Sequence, residues 1–115
     1  MLDIQKTVDG YNVFFAGEFS IFQAQEVFEQ LRPILEEKQN ISFDLAKIIS
    51  IDTSVIQTFM FIKRALKQHD CTLNLINHSQ AVLDLMERLG LVNWFNDPVF
   101  ISPEVAEKNS QGGKK

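Results

Sequence analysis

The chain has 115 residues, 45% of them hydrophobic and ten of them Phe, which is enough apolar surface for one core and too little length for two. A net charge of −4 leaves no basic stripe to neutralise phosphates, so the composition argues against nucleic-acid binding and suits a soluble protein that meets other proteins. No window approaches the ~18 uninterrupted apolar residues of a membrane span. The start MLDIQKTVDG has no signal-peptide pattern and Cys71 has no second cysteine to pair with, so the expectation is a cytoplasmic protein with no membrane segment.

In chain order, LDIQKTV alternates apolar and polar residues and YNVFFAGEF is β-branched and aromatic. Asp9-Gly10 between them is a favoured tight-hairpin dipeptide, so the domain is expected to open with a β-hairpin. Beyond Gly17 the apolar spacing becomes three and four: Ala24, Val27, Phe28, Leu31 and Leu35 mark a first helix, with Ser20 and Gln23 at capping-box spacing and Pro33 as an expected kink. ISFDLAKIISI reads as a strand buried on both faces and the irregular segment leaving it. Val55, Phe59, Ile62 and Leu66 then form the stripe of a second helix, with Lys63, Arg64, Lys67 and Gln68 outside.

TLNLIN is a further strand, with Cys71 expected as a small buried residue at its start, and SQAVLDLMERLG a third helix capped by Ser79 and stopped at Gly90. PVFIS supplies a short last edge strand. The fold class is therefore α/β: a small open mixed sheet of about five strands, a hairpin followed by alternating α-β units. One domain is expected over residues 1–104, with a polar, disordered tail over 105–115.

The triplet Asp52-Thr53-Ser54 lies where a strand exits into a helix, the usual place for ligands and modifications in an open α/β sheet. Two compatible readings stand. Asp52 or Ser54 caps the helix, Ser54 and Gln57 having S-x-x-Q spacing. Alternatively a hydroxyl here carries phosphate, which would gain amide donors and roughly 0.3 to 1 kcal/mol from the helix dipole.

His69 and His78, assigned to surface turns, have no neighbours at metal-ligand spacing, and no G-x-S-x-G elbow surrounds Ser54, so neither a metal, a cofactor nor an enzyme is expected. A phospho-aspartate receiver would need an acidic pair after its first strand, where only Glu18 is present. Nucleotide binding would need a phosphate-cradling glycine loop, and no glycine stands near the triplet. Phe19, Ile21 and Phe22 open the first helix as core residues or as an apolar docking patch.

The run from ISFDL through DTSVIQTF to NHSQAVL, together with FFAGEFS before it, resembles the STAS domain, the family named for sulphate transporters and anti-sigma factor antagonists. The resemblance implies a partner switch. Ser54 would be phosphorylated by an anti-sigma factor that is also a serine kinase of the histidine-kinase ATPase fold, and a metal-dependent serine phosphatase would reset it. The unmodified domain would bind the anti-sigma factor as a monomer or weak dimer, through Phe19, Ser20, Ile21, Phe22, Ile56 and Gln57 around a site framed by Asp52, Thr53 and Val55.

Two positions depart from the family pattern. Val55 replaces the glycine after the modified serine and is expected to restrict φ and crowd a kinase. Ser20 replaces an aspartate, which lowers repulsion against a phosphate. Gln57, NHSQAVL and NDPV are similar to small stand-alone STAS proteins of chemotaxis and signalling systems, which implies an alternative: a constitutive adaptor of a chemotaxis or lipid-transport assembly that uses the same face without phosphorylation.

Overall fold

A computed structural model describes residues 1–92 and 100–101. β1 (Leu2–Lys6) and β2 (Gly10–Phe19) form an antiparallel hairpin, and α1 (Ile21–Leu35), β3 (Asn40–Ile51), α2 (Thr53–Lys67), β4 (Leu73–His78), α3 (Gln80–Leu89) and β5 (Phe100–Ile101) follow. The five strands lie in sequence order, with β2 through β5 parallel. Three crossovers that step the same way across a sheet, each with the usual right hand, place all three helices on one face. Buried residues of α1, α2 and α3 accordingly share one cluster with those of β2, β3 and β4.

The core side of β2 and β3 supplies Phe15 and Phe43, which meet each other and Phe59 of α2, and Phe19, which meets Phe15, in tilted and edge-to-face contacts with ring centroids 4.9 to 5.4 Å apart. These are the geometries that an aromatic quadrupole favours, worth about 0.5–1.5 kcal/mol per pair beyond area burial. The opposite side of the sheet carries Asp3, Asn12, Phe14 and Asp44 and includes a concavity of about 450 Å³. β3 is therefore one-sided rather than buried on both faces: Ile41, Phe43 and Leu45 are buried, while Ala46 and Lys47 are exposed.

The alternation in β3 then slips, because its pairing with β2 gains an extra residue on β3 at each of two irregularities, Phe14/Ala16 and Gly17/Glu18. Ile48 and Ile51 inherit the inward phase and Ile49 is left exposed. The segment expected to be irregular is thus a bulged continuation of the strand that delivers Ile51 and Asp52 to the start of α2.

Several local expectations are met. Ser20 and Gln23 form the capping box of α1, Ser79 Oγ accepts from the Val82 amide, and Gly90 adopts the left-handed stop of α3. The α2 stripe Val55, Phe59, Ile62 and Leu66 is buried, and α1 continues through Pro33 to Leu35. In α1, Ile34 rather than Leu35 completes the buried set.

Others are corrected. Gly10 is required less by a two-residue turn than by close packing, since a Cβ there would stand 1.8 Å from the Asn40 carbonyl oxygen of β3. His78 is not in a surface turn but is the last residue of β4, 3% exposed. Cys71 is half-buried ahead of the strand, its Sγ 2.9 Å from the Lys38 carbonyl oxygen. Lys63 is only partly outside, because its Nζ donates to Leu73 O at 3.1 Å. The boundary at 104/105, the polar tail and NDPV lie outside the described residues.

Candidate functional site

Adjacent parallel strands end side by side, and Phe19 of β2 pairs with Ile51 of β3. The helices that follow therefore start next to each other. Asp52, in extended geometry at the N-cap of α2, joins the two starts: its N–H donates to Phe19 O at 2.9 Å, and its Oδ2 accepts from the Ile21 amide, the first of α1, at 2.8 Å. The α2 cap is left to backbone, with the Asp52 carbonyl accepting from Val55 at 3.0 Å and no side-chain cap bond.

Capping by Ser54 is thereby corrected. Ser54 is the second residue of α2 itself, too far inside to cap it, and the Ser54–Gln57 box does not form. Ser20, by contrast, is fully used: Phe22 N donates to its Oγ at 3.2 Å, and its own N–H donates to Gln23 Oε1 at 2.8 Å.

Ser54 Oγ is buried and has no hydrogen-bond partner among the described residues. Ser54 lines a shallow groove of about 460 Å³ together with Ala24, Gln25 and Phe28 of α1 and Gln57, Thr58 and Phe61 of α2. Phe28 and Phe61 meet edge to face at 5.7 Å across this seam, and Phe61 is 56% exposed. Ile21 and Phe22, 61% and 86% exposed, extend the apolar surface around the start of α1.

The structure thus brings together Ser20, Ile21, Phe22, Asp52, Thr53, Ser54 and Gln57. It withdraws three of the residues expected to take part. Phe19 is a core aromatic, so the open choice at the start of α1 divides: Phe19 belongs to the core, Ile21 and Phe22 to the surface. Ile56 is fully buried and its side chain cannot touch a partner. Val55 is fully buried too, so its side chain faces the core.

Phe28 and Phe61 were missed as site residues. Phe61 falls off the Val55–Leu66 stripe, and an aromatic on the outer side of an amphipathic helix was the available signal. Chemically the site offers an apolar seam, a hydroxyl and helix-terminal amides. Among the described residues no group of His, Cys, Asp and Glu could hold a metal ion, and no helix is long and apolar enough to cross a membrane.

The STAS domain family matches residues 2–108. The chain belongs to the STAS domain family. Solved structures share its fold. A putative anti-sigma factor antagonist from Thermotoga maritima has a TM-score of 0.76 at 13% identity, over 96% of this chain and 94% of its own. An anti-sigma factor antagonist from Mycobacterium paratuberculosis has 0.76 at 11%, over 96% and 93%. The anti-sigma factor antagonist SpoIIAA in its unphosphorylated form has 0.69 at 12%, over 99% and 100%. No curated protein matches the sequence.

Proposed function

We propose that the protein is an anti-sigma factor antagonist that works by partner switching, with Ser54 as the modified residue and the α1–α2 seam as its docking face. The observation that carries the reading is the placement of a serine hydroxyl on an apolar seam, at a helix start whose expected cap residue has turned to another helix. A phosphate on Ser54 would find backbone amides of the first turn of α2 without a competing side-chain cap. It would also place roughly −1.5 to −2 charges on a surface otherwise suited to an apolar partner.

In this scheme the unmodified seam binds an anti-sigma factor that is also a serine kinase. Phosphate transfer then expels the partner, and a metal-dependent serine phosphatase restores the surface. The brake on modification is the inward rotamer of Ser54, whose Oγ has to turn out of the groove before it can attack the phosphoryl group of a kinase-bound donor, rather than the Val55 side chain.

That same shielding favours the second reading, a constitutive adaptor of a signalling or lipid-transport assembly that uses the seam unmodified. Affinity capture with unmodified protein, mass spectrometry of the partner and phosphopeptide mapping separate the two. The switch is expected to place phosphate on Ser54, and a Ser54→Asp variant should bind the captured kinase about thirty-fold more weakly, equivalent to about 2 kcal/mol of charge desolvation. Ser54→Ala should bind it like wild type and stay bound. Phosphate on exposed Thr53, or on neither residue beside an active kinase, refutes the Ser54 assignment; equal affinity of all three proteins favours the adaptor.

A further inference from the structure

Asp52 occupies the cap position of one helix and serves the other. With Ser20 Oγ taken by the Phe22 amide, the Ile21 amide is held by Asp52 Oδ2. Ile21 and Phe22, the apolar side chains at that helix start, therefore stand on an anchor supplied by the neighbouring strand exit. Ser54 is two residues further along, at the edge of the groove it lines with Ala24, Gln25 and Phe28, so a charge placed on it lies two residues from the carboxylate that holds the start of α1.

We infer that Asp52 is a positioning residue that transmits the charge state of Ser54 to the Ile21–Phe22 patch. This rests on the reading of Ser54 as the modified residue. Negative charge on Ser54 repels the Asp52 carboxylate two residues away while the α2 amides attract the phosphate. Asp52 Oδ2 then withdraws from the Ile21 amide, the first turn of α1 loses its anchor, and the docking patch loosens. Phosphorylation thus disables the face by weakening one hydrogen bond as well as by adding charge to it.

The test is amide hydrogen exchange by NMR on the full chain, which needs no partner. Asp52→Ala should speed exchange at Ile21 at least about tenfold, the scale of a lost hydrogen bond to a charged acceptor, with β2 and β3 amides unchanged as the fold control. Asp52→Asn keeps an acceptor oxygen without the charge and should restore protection. Ser54→Asp should speed Ile21 exchange by about threefold or more, the scale of like-charge repulsion at a partly exposed site.

The same Ser54→Asp change in the Asp52→Asn protein should leave Ile21 exchange where Asp52→Asn alone put it. A purely structural anchor predicts the Ala result but not this loss of coupling. The inference is overturned if Ser54→Asp leaves Ile21 exchange unchanged with Asp52 present, or speeds it equally in the Asp52→Asn protein. Failure of the Ser54 switch itself would appear elsewhere, as equal affinities for the captured kinase, so the two failures are distinguishable.

Discussion

Replacing Ser54 by Ala should stabilise the free protein. A hydroxyl that is shielded from water and has no hydrogen-bond partner carries a desolvation cost of about 1–3 kcal/mol, and among the described residues Ser54 Oγ is in that situation. Ala is also the better helix former, by up to about 0.5 kcal/mol in a helix interior and less at the second position where Ser54 lies. Against these stand the dispersion contacts of one oxygen atom, about 0.1–0.2 kcal/mol per atom pair. The balance is a gain of about 1–2 kcal/mol, which for a chain of this size raises the melting midpoint by about 4–8 °C.

The sign is what makes the test sharp, because most substitutions destabilise. Thermal and urea unfolding followed by circular dichroism at pH 7 would measure it, an unchanged urea slope showing that the native and unfolded states keep their compactness. An unchanged or lowered midpoint for Ser54→Ala would mean that the hydroxyl finds a partner in the native state. The inward rotamer proposed as the brake on phosphorylation would then fall with it.

Three further outcomes are expected. Val55→Gly removes three buried carbons at ~0.8 kcal/mol each and adds up to about 1 kcal/mol of backbone freedom, so unfolding should show a loss of about 3 kcal/mol; at matched folded fraction the rate of Ser54 phosphorylation should not change, and a faster rate would show that the side chain reaches the kinase. Phe22→Ser should leave stability within about 0.5 kcal/mol, as at most surface positions, while weakening binding to the captured partner by about 2 kcal/mol or more, the scale of an aromatic anchor; unchanged affinity in a calorimetric titration would remove Phe22 from the docking face. Gly10→Ala forces a Cβ against the Asn40 carbonyl of β3 and should cost about 2 kcal/mol or more through strand displacement; a neutral melt would show that the β2–β3 start opens freely.

Element type and order were legible in the sequence because apolar period and end signals are local. The three-and-four spacing of Val55, Phe59, Ile62 and Leu66, the Ser20–Gln23 box, the Ser79 cap and the Gly90 stop each act over one or two turns, and all reappear in the structure. The proposed docking face was only half legible. An apolar residue near Ser54 looks the same in sequence whether it points in or out, and what separates Phe19 from Phe22, or Ile56 from Phe61, is the phase each element acquires when it packs on the sheet.

Two register slips between β2 and β3 set that phase for Ile51 and Asp52, and such slips leave no local signature. The role of Asp52 was still less accessible. Its short-range chemistry favours capping the helix it precedes, and only the parallel pairing of Phe19 with Ile51, residues 32 positions apart, brings the Ile21 amide within 2.8 Å of its carboxylate. Local propensity thus determined which segments became helices and strands, whereas strand register decided which helix Asp52 serves and where the Ser54 hydroxyl points.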